Sequence, residues 1–184
     1  MLPASVDGGV ALVGNAQSLF TRRYGAEIDR HDVVARINRA AVLVTHPFES
    51  VTHGSRTDAW FMWRYNEYET LKFQRPNWMM QMIHWETPGG DVNIYSEHRF
   101  NELQTELGAV PSTGLMVLDF FDVCTKYPHI DVYGFDWKAT PTFTDPKRET
   151  DKMLLNGGHL HDFGLEREYC KNRFYNSPRF NFRF

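Results

Sequence analysis

Short runs of apolar residues recur along the chain, and each is closed by glycine, asparagine or another polar residue. Runs of this length without helical spacing are typical of strands that are buried inside a sheet. The pattern predicts strands at residues 9–14, 32–38, 57–63, 77–85 and 130–137.

Helical spacing appears between these runs. Residues 96–108 place phenylalanine and leucine on one face and end on a glycine, which is a common C-cap. A second helix is predicted to start after Ser112 or Thr113, either of which can cap it, and to stop before Pro128. Residues 16–25 are compatible with a further helix between the first two strands.

Strands that alternate with helices predict an α/β fold, Rossmann-like, with a mainly parallel sheet flanked by helices. The length of 184 residues fits one domain that spans residues 1–184. Residues 138–152 combine proline, threonine and charged residues and predict a mobile loop.

Composition excludes several classes of protein. The formal net charge is -3, so the chain lacks the basic excess of a nucleic-acid-binding protein, and an anionic ligand has to be met by local groups. No apolar stretch approaches the length of a membrane helix, and no secretory leader is visible. Cys124 and Cys170 are more typical of free thiols than of a disulfide framework, although a bridge between them stays open.

Polar groups follow the predicted strands where a parallel sheet gathers its loops and binds ligands. Asn15 and Asn38 each offer a donor and an acceptor without adding charge, as ribose hydroxyls and phosphate oxygens require. Ser112, Thr113 and Gly114 lie at a predicted helix N-terminus, which favours an anion or a sugar hydroxyl. These positions suggest a mononucleotide site, but each residue taken singly also fits a simple turn or helix cap.

Three stretches, in the expected order, resemble the sialylmotifs of the eukaryotic-type sialyltransferases. "ALVGNAQSL" with "YGAEIDRHDVVARINRA" is similar to the large motif, and "VPSTGLMVLDFFDVCTKYPHIDVYGFDW" to the small motif. "HDFGLE" matches the very short motif, a histidine and a glutamate separated by four residues. The resemblance spans residues 9–166, which is most of the chain.

The resemblance implies a GT-A-like variant fold and the transfer of sialic acid from CMP-sialic acid to a hydroxyl of an acceptor glycan. It implies His161 as the catalytic base. The donor-binding residues that it implies are Asn15, Asn38, Ser112, Thr113, Gly114, Gly134 and Phe135.

The chemistry can also be argued from the residues. A CMP-linked donor leaves with about one negative charge on its single phosphate, so neutral donors and one helix N-terminus can suffice without a metal. No DxD motif is convincing, because Asp119 and Asp122 lie within a predicted helix and Asp145 lies in the predicted loop. The sequence therefore predicts a metal-independent enzyme with no cofactor.

An attacking hydroxyl must lose its proton, and a histidine, with a pKa near ~6.5, is suited to accept it. His161 is the predicted base, and a single displacement inverts the anomeric carbon. Glu166 lies about 140° around a helix from His161, so we expect it not to orient His161 but to hold its helix against the sheet or to meet the acceptor.

Some positions depart from the family's pattern. The family's cysteine before the first strand is replaced by Val10, so the usual bridge to Cys124 cannot form. This favours a reducing, cytoplasmic location, with the Golgi lumen as the alternative if an N-terminal anchor has been removed. The serine of the family's Gly-Asn-Ser is Ala16 here, and Ser18 is a candidate substitute.

The family's His-Tyr motif, whose histidine helps to neutralise the leaving phosphate, is not visible, and Thr144 falls near its position. The candidates to replace it are His159, Arg148 and Tyr169. His159 is preferred, because "GGHLH" places it on a glycine-hinged loop that can close over the donor.

Other interpretations stay open. The chain can be a CMP- or glycan-binding module that has lost transfer, and its donor can be another CMP-linked keto acid. A dinucleotide-dependent oxidoreductase is disfavoured, because no G-x-G-x-x-G follows the first strand. Trp60, Trp63, Tyr65 and Tyr68 fit either a sugar platform or the core. The tail "NSPRFNFRF" fits a partner contact, a sheet-edge cover or a solvated end.

Overall fold

The computed structural model describes residues 2, 8–43, 50–66, 75–143 and 161–184 of the chain. Its strands are β1 (Gly9–Val13), β2 (Val33–Ile37), β3 (Ala59–Met62), β4 (Trp78–Gln81), β5 (Asn93–Ile94), β6 (His129–Tyr133) and β7 (Phe180–Arg183). Its helices are α1 (Gly25–Ile28), α2 (Ala40–Leu43), α3 (Ser50–His53), α4 (Glu97–Leu107), α5 (Thr113–Cys124) and α6 (Phe163–Arg173).

The strands form one sheet in the order β5-β4-β3-β2-β1-β6-β7, and every neighbouring pair is parallel. The prediction of an α/β fold with a mainly parallel sheet flanked by helices is therefore confirmed. β1 is central, because Val10 pairs with Val33 of β2 on one side and with Ile130 of β6 on the other.

Successive residues of β1 enter different cores. Val10 and Leu12 belong to the larger core, which the apolar faces of α4 and α5 and the buried Cys170 of α6 complete. Ala11 and Val13 belong to a smaller core on the opposite face. This alternation is what a strand buried on both faces requires, and it explains the unbroken apolar run.

The caps of the two long helices follow the sequence prediction. Ser96 caps α4 by accepting a hydrogen bond from the Arg99 amide, and Gly108 ends that helix at a φ of 74°. Ser112 caps α5 in the same way.

Residues 16–25, which the sequence makes compatible with a helix, give a 3₁₀ helix (Gln17–Thr21). α5 ends at Cys124, before Pro128 as predicted, because Thr125 is already extended. The predicted end of β4 was wrong, because the strand ends at Gln81 and the chain leaves the sheet at residues 82–85.

The predicted mobile loop lies only partly within the described residues. Its first part is fastened to the segment after β1, where Thr142 forms an antiparallel bridge with Ala16 and Gln17 donates to the carbonyl of Pro141. Thr144, Asp145, Arg148 and His159 lie outside the described residues. The prediction that residues 1–184 form one domain stays a prediction.

The cysteines carry no disulfide. Cys124 is exposed, Cys170 is buried, and both are free thiols. The bridge between them that the sequence left open is thus wrong. In the part of the chain that the structure describes, no helix is long and apolar enough to cross a membrane.

Candidate active site

The candidate site lies at the carboxyl ends of β1 and β6. Chain order reverses between these neighbours, since β2–β5 extend from one side of β1 and β6–β7 from the other. Such a switch point leaves a crevice, because the connections that follow the two strands turn in opposite directions. The residues after β1, β2 and β6 and the N-terminus of α5 converge there.

Asn15 follows β1 and is 9% exposed. Its backbone carbonyl accepts a hydrogen bond from the amide of Phe143, but its side-chain Oδ1 is buried and has no hydrogen-bond partner among the residues that the structure describes. A buried, unpaired amide oxygen costs free energy until a donor arrives. The position therefore suits a ligand hydroxyl.

Asn38 follows β2 with a φ of 46°, a left-handed conformation that asparagine tolerates well. Its Oδ1 accepts from the backbone amide of Trp63 at 2.8 Å, and its carbonyl accepts from the Trp60 indole at 2.8 Å. Oδ1 thus holds the end of β3, and Nδ2 is the donor group of this amide. The expectation that Asn38 binds a ligand stays a prediction.

Phe135, the second residue after β6, is a packing residue. Its ring lies between Gly14 and Gly114, where an added Cβ would come within 2.7 Å and 3.1 Å of ring carbons. A Cβ on Gly14 would also lie 2.4 Å from the carbonyl oxygen of Gly134, which itself has a φ of 66°. Gly14 therefore serves the contact between the ends of β1 and β6.

The N-terminus of α5 is built around Ser112. Its Oγ accepts from the Leu115 amide at 3.3 Å and donates to Oε2 of Glu166 at 2.7 Å. Its backbone amide donates to Oε1 of Glu166 at 2.6 Å. The predicted ligand role of the Ser112 side chain thus competes with a structural one, while Thr113 is 7% exposed and Gly114 packs on Phe135.

Glu166 is fully buried on the first turn of α6. Burial raises its pKa to about 7, against the two hydrogen bonds from Ser112, which lower it. The carboxylate joins the start of α6 to the start of α5. Both of its hydrogen bonds described above are with Ser112, not with His161. The expectation that Glu166 holds its helix in place agrees with these contacts, although they fasten it to α5 and not to the sheet.

His161 precedes α6 and is half-buried. Its Nδ1 lies 3.0 Å from the carbonyl oxygen of Val110, which can only accept. Nδ1 therefore carries the proton, and Nε2 is the basic nitrogen. The imidazole packs edge-on against Trp63 at 6.1 Å and Phe163 at 6.0 Å, which fixes the direction of Nε2.

Lys138 brings a positive charge to this region, and the sequence analysis missed it. Its ammonium lies 5.6 Å from the centre of the Phe163 ring, the ring that also contacts His161. Both Trp137 and Lys138 have positive φ angles, 55° and 64°, which side chains other than glycine adopt only when the surroundings impose them. The sole sequence signal was a lysine directly after the end of the small motif.

Other predicted residues lie elsewhere. Tyr169 donates to Glu106 at 2.6 Å and accepts from Arg173, so it belongs to the junction of α4 and α6, where burial raises its pKa to about 12. His159 and Arg148, the other candidates to replace the missing histidine, lie outside the described residues. Ala16 is buried against Thr142, and the Ser18 amide donates to Thr140.

The predicted aromatic platform divides between core and site. Trp60 and Tyr65 are buried in a small core cluster, and Tyr68 lies outside the described residues. Trp63 reaches the site beside His161, and its ring meets that of Trp85 at 5.7 Å. Trp85, which is 52% exposed, was not foreseen.

Asp119 and Asp122 both bind arginines. Asp119 is fully buried and accepts from Arg99 at 2.6 Å, and Asp122 accepts from Arg173 at 3.0 Å. Among the residues that the structure describes, no group of three histidine, cysteine, aspartate or glutamate side chains is placed to hold a metal. Metal independence stays a prediction.

Comparisons with known proteins bear on both sequence and fold. The sequence model of glycosyltransferase family 29 (sialyltransferase) matches residues 10–88. A crystal structure of a mammalian sialyltransferase aligns with a TM-score of 0.66 and 19% identity, over 96% of this chain and 69% of that one. The chain has the sialyltransferase fold, and its N-terminal half carries the family's sequence pattern.

A second structure, of a mammalian sialyltransferase in complex with Gal-β1-3GalNAc-ortho-nitrophenol, aligns with a TM-score of 0.62 and 20% identity over the same shares of the two chains. No curated protein sequence matches the chain. The resemblance to the sialyltransferases is confirmed, and the partial sequence match together with the fold supports a glycosyltransferase, more narrowly a sialyltransferase. The residues of the small and very short sialylmotifs lie beyond the matched stretch, and their roles stay predictions.

Proposed function

We propose that the protein transfers sialic acid from CMP-sialic acid to a hydroxyl of an acceptor glycan, with inversion and without a metal. The observation that carries the proposal is the contact of His161 Nδ1 with the carbonyl oxygen of Val110 at 3.0 Å. Because that carbonyl can only accept, we infer that Nε2 is the basic nitrogen, on a ring packed beside Trp63 at the strand ends that carry Asn38.

The reaction follows from this geometry. The acceptor oxygen attacks the anomeric carbon of the donor, and its proton passes to Nε2 of His161. The bond from the anomeric carbon to the phosphate oxygen breaks, and CMP leaves with the bonding electrons. A single displacement of this kind inverts the anomeric configuration.

The donor would lie in the crevice between β1 and β6. Asn15 Oδ1 is suited to accept from a ribose hydroxyl, and the Nδ2 group of Asn38 is suited to donate to a phosphate oxygen. The start of α5, at Thr113 and Gly114, adds backbone amides and the positive end of a helix dipole. Lys138 supplies the one full positive charge that we assign to the leaving phosphate.

The acceptor class is supported by the similar structure that holds a Gal-β1-3GalNAc derivative, which shows that the fold can accommodate a glycan in that protein. A cytoplasmic location is proposed because Cys124 and Cys170 are free thiols and Val10 is buried in β1.

The test is a comparison of His161→Ala with the wild-type protein. With CMP-sialic acid and a panel of labelled glycans, the wild-type protein should transfer sialic acid, and the variant should lose at least ~100-fold in kcat while its affinity for CMP persists. Equal transfer by both proteins would show that His161 is not the catalytic base.

A module that binds CMP without transfer is the second candidate, and the absence of a visible His-Tyr motif in the sequence favours it. Such a module would bind CMP in calorimetry, but neither the wild-type protein nor His161→Ala would transfer sialic acid to any labelled glycan. Absence of CMP binding would reject both functions.

A further inference from the structure

Two tryptophans form a ledge along the ends of β3 and β4. Trp63 directly follows β3, and Trp85 lies in the segment after β4. Their rings meet edge to face, with centres 5.7 Å apart and planes inclined at 75°. We call these two residues the tryptophan ledge.

The ledge begins at the proposed base and extends away from the donor crevice. The Trp63 ring lies 6.1 Å from that of His161, and the Trp63 amide is held by Asn38. β4 lies one strand further from β1 than β3 does, so Trp85 lies on the outer side of the ledge. A base must face the hydroxyl that it deprotonates, which places the acceptor between the donor crevice and this ledge.

One buried side chain holds the two segments that carry the ledge. Gln81 is fully buried at the end of β4, and its Oε1 accepts from the Tyr65 amide at 2.9 Å. Its Nε2 donates to the carbonyls of Ile83 at 3.0 Å and Glu86 at 2.7 Å. Gln81 therefore fixes the chain on both sides of Trp85 and two residues after Trp63.

The ring of Trp85 also packs against two other aromatic side chains. It packs edge to face on His84 at 5.0 Å and on Phe100 of α4 at 5.8 Å. Arg64 and Glu86, which neighbour the two tryptophans, form an ion pair at 2.5 Å. The ledge is thus a surface that is formed before any ligand arrives, and little side-chain entropy remains to be lost on binding.

The exposure of Trp85 is unusual for this protein. Trp60 is fully buried and Trp78 is 8% exposed, whereas Trp85 is 52% exposed although rigidly packed. An immobilised indole that faces solvent next to a reactive group is suited to stack on the apolar C–H face of a pyranose, while the ring hydroxyls stay in water.

We propose that the tryptophan ledge binds a pyranose ring of the acceptor glycan, with Trp85 as the residue that sets acceptor affinity and Gln81 as its positioning residue. This inference rests on the proposed function, because it assigns the acceptor side of the same site.

The experiment compares Trp85→Ala and Trp85→Phe with the wild-type protein. Trp85→Ala should raise the KM for the acceptor about tenfold, equivalent to about 1.4 kcal/mol, and Trp85→Phe should give a smaller rise. The KM for CMP-sialic acid and the affinity for CMP should not change. Phe184→Ala is the matched control, since Phe184 is an aromatic side chain that is 63% exposed at the end of β7. It should change none of these quantities.

If Trp85→Ala folds and its KM for the acceptor is unchanged, the proposal that the tryptophan ledge binds the acceptor is wrong. The proposed function would still stand. If the wild-type protein transfers nothing, the proposed function fails, and saturation-transfer NMR with Gal-β1-3GalNAc still decides the ledge. Signal on the sugar protons that Trp85→Ala abolishes supports the ledge, and equal signal or no signal from both proteins overturns it.

Discussion

At the scale of single residues, the site depends on hydrogen bonds that fix which atoms remain for a ligand. Asn15 and Asn38 look equivalent in the sequence, yet the first keeps a buried oxygen that no other described residue bonds, and the second uses its oxygen to hold Trp63. The sequence predicted the hydrogen-bonding groups of the two asparagines. It did not predict which of these groups the fold uses, because that depends on contacts with residues distant along the chain.

Glu166 gives a prediction at this scale. Its pKa is raised by burial to about 7 from 4.5, so the folded state prefers the protonated carboxyl. The contribution of this group to stability is fully present below pH 4.5 and is lost as the pH rises to about 7, which amounts to about 3 kcal/mol. Glu166→Gln has the same shape but does not titrate.

The unfolding free energies of the two proteins, measured with urea at several pH values, should therefore differ by an amount that changes by about 3 kcal/mol between pH 4.5 and pH 7.5. Other titrating groups are common to both proteins and cancel in the difference. Two curves that run parallel over this range would show that burial does not shift the carboxyl.

At the scale of elements, the helices on one side of the sheet are joined by buried charge. Asp119 of α5 is fully buried and accepts from the Tyr95 hydroxyl at 2.7 Å and from two nitrogens of Arg99 of α4. Arg173 of α6 lies 3.6 Å from it. Two helices thus meet the third at one carboxylate, while Asp122, one turn later, is 26% exposed.

Asp119→Ala should leave the Arg99 guanidinium without its buried partner and lower the free energy of unfolding by about 3–5 kcal/mol. Asp122→Ala is the matched control on the same helix, and it should cost no more than about 1 kcal/mol because its ion pairs are partly solvated. Chemical denaturation measures both. Equal losses in the two variants would contradict the special role of the buried carboxylate.

The hydrophobic pattern of the sequence predicted the strands and helices that pack into the core. The strands now called β1 to β4 and β6, and the helices α4 and α5, each carry a recognisable apolar run or face. β5 was missed because it has only two residues and both are exposed, so it carries no apolar run. β7 alternates phenylalanine with other residues, and of the three open interpretations of the tail the sheet-edge cover is confirmed by its pairing with β6.

At the scale of the whole molecule, a net charge of -3 offers no general attraction to an anionic donor. The positive potential must come from the site itself, from the start of α5 and from Lys138. Under the proposed function, we expect this arrangement to take the place of the metal that diphosphate-sugar donors usually require.

Turnover should accordingly be unchanged by an excess of EDTA, while Lys138→Ala should lower kcat about tenfold to a hundredfold, because a charge on the leaving phosphate loses its counterpart. Lys138→Arg, which keeps the charge, should recover part of the loss. Steady-state kinetics with and without chelator measures this. A rate that falls in EDTA and returns with Mg²⁺ would reject the metal-independent mechanism.

The pairing of Val10 with Ile130 has a consequence for biosynthesis. A ribosome makes β1 to β5 before it makes β6, so one edge of β1 stays open until β6 has emerged. The proposed donor crevice does not exist during that period, even though residues 10–88 are already complete. Binding of CMP should therefore report that β6 has been made and has paired with β1.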